Sequence, residues 1–134
     1  MSNIKILKEQ VKDLKVLFVD DEDDVRDGTA SLLKKIFTTV VICSNGKEGL
    51  DTFENGNFDV VLTDVLMPIM DGIEMATKIK EINPDIFIIF LTASRSMTDI
   101  DKGLSNITLE KPLLFEDIVS LLEELKKLNP KKTL

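Results

Sequence analysis

Six side chains of this sequence stand where short apolar runs end, and their types suit chemistry on phosphorus. Asp20, Asp21 and Glu22 follow the run Val16–Val19, and Asp64 comes just after Val60–Leu62. Thr92 follows Ile86–Leu91, and Lys111 comes just after Ile107–Leu109. Carboxylates gathered in one small space repel each other unless a cation or a proton relieves them. A hard divalent cation does so, and an all-oxygen site with room for water suits Mg2+. Lys111 adds a further positive charge, suited to a carboxylate or a phosphoryl oxygen, and the Thr92 hydroxyl can donate to such an oxygen. One carboxylate is then left to attack phosphorus as a nucleophile. Each residue alone carries little weight, because loops often begin with a polar residue.

These residues meet only if the apolar runs are neighbouring strands. Val16–Val19, Val60–Leu62 and Ile86–Leu91 are continuous and rich in β-branched residues, as in strands of a parallel sheet buried on both faces. Thr39–Cys43 and Ile107–Leu109 are weaker strand candidates. Helical spacing fills the intervals Val25–Phe37, Gly46–Phe53, Ile73–Ile82 and Phe115–Leu128. The alternation predicts an α/β fold, an open, doubly wound parallel sheet with helices on both faces. In such sheets the binding crevice lies beyond the carboxyl ends of the strands, where the six residues fall. Asn45-Gly46, Asn55-Gly56, Pro68, Asp71-Gly72, Asn83-Pro84 and Pro112 punctuate the pattern.

Each site residue also has a plain structural reading. Asp20 to Asp24 can serve as the acidic start of a helix, and Asp64 can open the turn that Pro68 completes. Asp71-Gly72 reads as an ordinary turn and helix entry. Cys43, the single cysteine, reads as a packing residue at a strand end.

With 134 residues the chain suffices for one domain with a substantial core. Ile4, Leu7, Val11 and Leu14 recur at helical spacing and predict an amphipathic helical extension over 1–14, packed on the domain or on a partner. The expected domain spans 15–128, and a frayed tail covers 129–134. The formal net charge of −7 argues against direct contact with nucleic acid. No histidine is present, which excludes Ser-His-Asp and Cys-His catalysis and histidine metal sites. Phosphate that travels by way of histidine must therefore come from another protein. No run reaches membrane-spanning length, and the charged N-terminus does not read as a signal peptide. With one thiol, these features predict a cytoplasmic protein without a membrane partner.

The arrangement resembles the receiver domains of two-component response regulators over roughly Lys15 to Leu128. Val60 to Gly72, reading VVLTDVLMPIMDG, is similar to the family's strand, phosphorylated Asp, Met-Pro turn and Asp-Gly helix start. Val16 to Glu22 supplies the acidic pair, Leu91-Thr92-Ala93 the hydroxyl residue, and Lys111-Pro112 the lysine before a proline that is cis in the family. The resemblance implies the CheY-like, flavodoxin-like strand order 2-1-3-4-5. It implies phosphorylation of Asp64 by a histidine kinase or histidine phosphotransfer protein. It also implies Mg2+ held by Asp21, Asp64, the Leu66 carbonyl and, through water, Asp20. Thr92 and Lys111 would bind the phosphoryl group, and the change would spread to the face of the family's fourth helix, fifth strand and fifth helix. From there it would reach an output domain or partner protein. Such phosphorylation is a stoichiometric switch rather than enzymatic turnover.

The chain departs from the family in two ways. Thr108 stands where an aromatic residue usually precedes the lysine by three, so a rotating ring cannot be the switch. The interval from Thr92 to Lys111 is short, which predicts an abbreviated helix near Met97–Leu104. Leu66 and Ser94 occupy positions that tune dephosphorylation in the family. Three other readings share features with this one. A pseudo-receiver keeps the fold without phosphorylation. A phosphatase of the haloacid dehalogenase type would use Asp21-Glu22-Asp23-Asp24-Val25 as its nucleophile motif, but would need a later acidic pair that nothing after Lys111 supplies. A flavodoxin-like cofactor binder is disfavoured by the acidic first loop, which would repel a flavin phosphate.

Overall fold

The structure, a computed structural model, describes residues 4–93 and 103–128. The helix expected near 97–104 falls mostly outside the described residues, as do Ser94 and the tail 129–134. The elements in chain order are α1 (Ile4–Val11), β1 (Lys15–Val19), α2 (Asp23–Lys34), β2 (Thr39–Cys43), α3 (Gly46–Glu54) and β3 (Val60–Asp64). They continue with α4 (Gly72–Ile82), β4 (Phe87–Thr92), β5 (Ile107–Glu110) and α5 (Phe115–Leu125).

All strand pairs are parallel, and the sheet order is β2-β1-β3-β4-β5, as the resemblance implied. Leu17 pairs with Val41 on one side and Val61 on the other, and Leu62 aligns with Ile89. β3 and β4 are buried along their whole length, which accounts for their unbroken apolar sequence. The edge strands β2 and β5 are mostly half-exposed, and their sequence signal is correspondingly fainter.

Alternation along each strand divides the core in two. Val16, Phe18, Val60, Leu62, Ile89 and Leu91 face a cluster completed by α1, α2 and α5. Leu17, Val19, Val61, Ile88 and Phe90 face a second cluster shared with α3 and α4. α1 lies against α5, and Leu7 and Val11 belong to the first cluster together with Leu14, Leu122 and Leu125.

The helix starts follow local chemistry. The Asn45 side chain accepts from the Glu48 N–H at 2.9 Å, and Asp71 accepts from the Glu74 N–H at 2.8 Å, so both are N-caps. Asp71-Gly72 is thus a helix entry, as its sequence suggested. Gly72 is required there, because a Cβ would lie 2.1 Å from the Asp64 carbonyl oxygen. α2 begins two residues earlier and ends three residues earlier than the apolar period predicted. Asp23 and Asp24 form its first turn, where carboxylates suit the helix dipole. Ile36 and Phe37 keep the period going in sequence, but they lie buried in the connection to β2. α5 likewise stops at Leu125, three residues short of the predicted end, and a tighter helical turn follows to Leu128.

Candidate functional site

The carboxyl ends of four strands deliver the site. Asp64 is the last residue of β3 and Thr92 the last of β4, while Asp20 follows β1 directly and Lys111 follows β5. Sheet register sets their common level, since Asp64 aligns with Leu91 and Thr92 with Glu110. The Lys111 backbone N–H extends this pairing by donating to the Thr92 carbonyl at 2.8 Å. The Lys111–Pro112 peptide is cis.

Lys111 Nζ donates to Asp64 Oδ2 at 2.8 Å and to Asp20 Oδ2 at 3.3 Å, and it lies 4.0 Å from Glu22 Oε1. The other oxygen of Asp64 accepts the Val65 N–H at 3.1 Å. The other oxygen of Asp20 accepts the Glu22 N–H at 2.9 Å, and Asp20 is 0% exposed. Asp20, Asp21 and Asp64 each bring a carboxylate oxygen to within 4.8 Å of the others. Beside them is a cleft of about 180 Å3 lined by Glu22, Asp64, Leu66, Thr92, Ala93 and Lys111. The sequence-predicted residues therefore meet in one place. Leu66 joins Asp64 in that lining, and the residue is 61% exposed.

The charges do not balance. Asp20, Asp21 and Asp64, with the more exposed Glu22 nearby, outnumber the single Lys111 ammonium, an excess of negative charge that a divalent cation relieves. Burial pushes the Asp64 carboxyl above its usual range, and the Asp20 and Asp21 charges push the same way, while the Lys111 hydrogen bond and charge oppose them. Burial pulls Lys111 down, but the hydrogen bond and charge of Asp64, followed by Asp20, outweigh it and leave the ammonium raised. A simple ion pair would raise the lysine and lower the acid. Both are raised here because the ammonium faces several carboxylates, while at Asp64 burial, aided by the Asp20 and Asp21 charges, outweighs the ammonium. An all-oxygen donor set of this charge fits Mg2+ better than softer ions.

Glu22 is the N-cap residue of α2 and makes no side-chain cap bond, and Asp21 makes no side-chain hydrogen bond among the described residues. An acidic helix cap therefore does not explain Asp21. The sequence reading missed Arg26. Its Nη1 donates to the Asp20 carbonyl at 3.1 Å and its Nη2 to Asp23 Oδ1 at 2.7 Å. The spacing of Asp23 and Arg26 signals only a helix-surface ion pair. Thr108, which holds the position of the usual aromatic residue, is half-buried in β5, with its hydroxyl 2.8 Å from Ser105 Oγ.

Comparison with known proteins identifies the family. The chain is 32% identical over 114 residues to the response regulator receiver protein CpdR of Brucella abortus, covering 83% of this chain and 95% of that protein. It is 30% identical over 115 residues to response regulator MprA of a Mycobacterium species, covering 84% of this chain but 50% of MprA, so it spans half the length of that relative. Among solved structures, Thermotoga maritima response regulator TrrA, in complex with Mg2+ and BeF, superposes with a TM-score of 0.75 at 29% identity, covering 84% of this chain and 98% of that one. The family model for the response regulator receiver domain matches residues 16–123, and the chain belongs to that family.

Proposed function

We propose that this receiver domain is a phosphorylation switch whose acceptor is Asp64. The reading is carried chiefly by one observation. A carboxylate at the mouth of a cleft is held by Lys111 on one oxygen and by a backbone N–H on the other, beside two further carboxylates with a net need for a divalent cation. Asp21, Asp64 and the Leu66 carbonyl would hold Mg2+, with Asp20 acting through water. When bound, the ion neutralises charge that develops on the phosphoryl oxygens.

The chain's own residues do the rest. Asp64 attacks phosphorus in line, a new O–P bond forms, and the bond from phosphorus to the donor's nitrogen breaks. The freed imidazole keeps its electron pair and takes a proton. Lys111 moves from pairing with the Asp64 carboxylate to pairing with a phosphoryl oxygen, and Thr92 donates its hydroxyl to another. The donor, as the family resemblance implies, is a histidine kinase or a histidine phosphotransfer protein, since these 134 residues hold no histidine of their own. The event occurs once per chain, as a switch rather than as turnover. We place the domain in the cytoplasm at 15–128, with 1–14 as a helical extension and 129–134 as a tail, signalling to an output domain or a separate partner protein. Among the described residues no helix is long and apolar enough to cross a membrane.

The test is an intact mass after incubation with acetyl phosphate and Mg2+, with Asp64→Asn and a chelated sample alongside. One added phosphoryl group, absent from both controls, is expected. No added mass in any sample, together with no beryllofluoride binding, overturns the reading and leaves an interaction module.

A further inference from the structure

We infer that Arg26 is a positioning residue for the metal-binding carboxylates, acting through the peptide that joins Asp20 to Asp21. This rests on the reading of the site given above. Each polar group of Asp20 is engaged. Its N–H donates to the Cys43 carbonyl, its two carboxylate oxygens accept from Glu22 and Lys111, and its carbonyl accepts from Arg26. Asp21 differs, because its side chain makes no hydrogen bond among the described residues, so its placement rests on its backbone. The Asp20 carbonyl belongs to the same peptide plane as the Asp21 nitrogen. Holding that carbonyl therefore fixes the plane that places the Asp21 Cα, the point from which its side chain departs.

The guanidinium is itself fixed. The Arg26 side chain is 16% exposed, its second nitrogen is held by Asp23, and its own N–H donates to the Glu22 carbonyl at 2.7 Å. A planar fork can grip a carbonyl and a carboxylate at once, which a lysine ammonium on a flexible stem does less well. The Asp23 pairing also offsets the arginine's charge, so that it orients the acidic pair without strongly opposing a cation. As an ordinary helix-surface pair, Arg26–Asp23 would contribute little to stability and leave metal binding unchanged.

The chain contains no Trp or Tyr, so Mg2+ binding is read by isothermal titration calorimetry, with thermal unfolding in chelator measured in parallel. Arg26→Met removes both bonds while keeping the stem, Arg26→Lys restores part of the contact, and Asp23→Asn loosens the guanidinium without removing it. Arg26→Met is expected to weaken Mg2+ binding about tenfold, the scale seen for groups that orient metal ligands. Arg26→Lys and Asp23→Asn should fall between it and the wild type, out of step with any change in unfolding temperature. Unchanged or tighter Mg2+ binding by Arg26→Met and Asp23→Asn overturns the inference while the proposed function stands. Failure of the wild type to bind Mg2+ overturns both.

Discussion

Lys111 Nζ lies 2.8 Å from Asp64 Oδ2, a contact that joins the end of β3 to the loop after β5 across the intervening strand β4. It is the main direct neutralisation of Asp64, and the same ammonium reaches Asp20. Lys111→Met is therefore expected to leave the carboxylates uncompensated. Breaking a buried pair by removing one partner costs about 3 kcal/mol or more, and the open cleft keeps the effect near the lower end. Denaturant titration in chelator should show this loss, and Mg2+ should restore part of it. Equal destabilisation with and without Mg2+ would show that Lys111 acts by packing instead.

Asp64→Asn should raise the unfolding temperature of the metal-free protein at neutral pH. The folded-state Asp64 carboxyl is raised, first by burial and then by Asp20 and Asp21, against the pull of Lys111. The folded state thus holds the proton to higher pH than the unfolded state, and stability falls as pH rises through the folded value. The substitution removes that penalty, so its advantage should be full above the folded value and vanish below the usual Asp value of 3.8. Added Mg2+ should reverse the order, because the wild type then gains binding energy that the variant lacks. Melting curves across pH, in chelator and in Mg2+, check both statements.

The rim residues could be read from sequence because each sits at the end of an apolar run, and the parallel sheet aligns those ends. The central strands were clear for the same physical reason, burial on both faces. The end of α2 was not, since Ile36 and Phe37 continue the apolar period while packing from the connection to β2. Arg26 escaped notice because its bond to the Asp20 carbonyl depends on the turn between β1 and α2, which residue spacing does not encode. Ile69, with φ at 71° and 79% exposed, was likewise hidden. A β-branched residue gives no sequence cue for a left-handed backbone, which glycine or asparagine usually marks.

Two glycines should respond in opposite directions to alanine. Gly28 lies within α2, and an added Cβ would meet nothing within 4 Å. Gly28→Ala should stabilise by about 0.5–1 kcal/mol, because it limits the unfolded chain and favours the helix. The residue borders an apolar groove of about 540 Å3 between α2 and the Lys111–Leu113 loop, so the methyl group has room. Gly72→Ala should destabilise by about 3 kcal/mol, since its Cβ would collide with the Asp64 carbonyl and push on the acceptor itself. Thermal melts of the two variants provide the check, and Gly72→Ala should also slow phosphorylation by acetyl phosphate.

α1 lies outside the span matched by the family, yet its apolar face is continuous with the domain core. Leu7 is 4% exposed and shares a cluster with Leu14, Phe37, Leu122 and Leu125. Leu7→Ala should therefore cost about 2–3 kcal/mol, as for a buried leucine in a partly relaxing site. Ile6, on the outward side at 56% exposure, serves as the control, and Ile6→Ala should stay within about 0.5 kcal/mol. If α1 were a detachable arm, both variants would unfold at the wild-type denaturant midpoint. A midpoint shift confined to Leu7→Ala would make the helix part of one cooperative unit with β1 and α5. Shortening the chain to residue 15 would then expose the apolar surfaces of Leu122 and Leu125 and lower the stability of the phosphoacceptor site along with the fold.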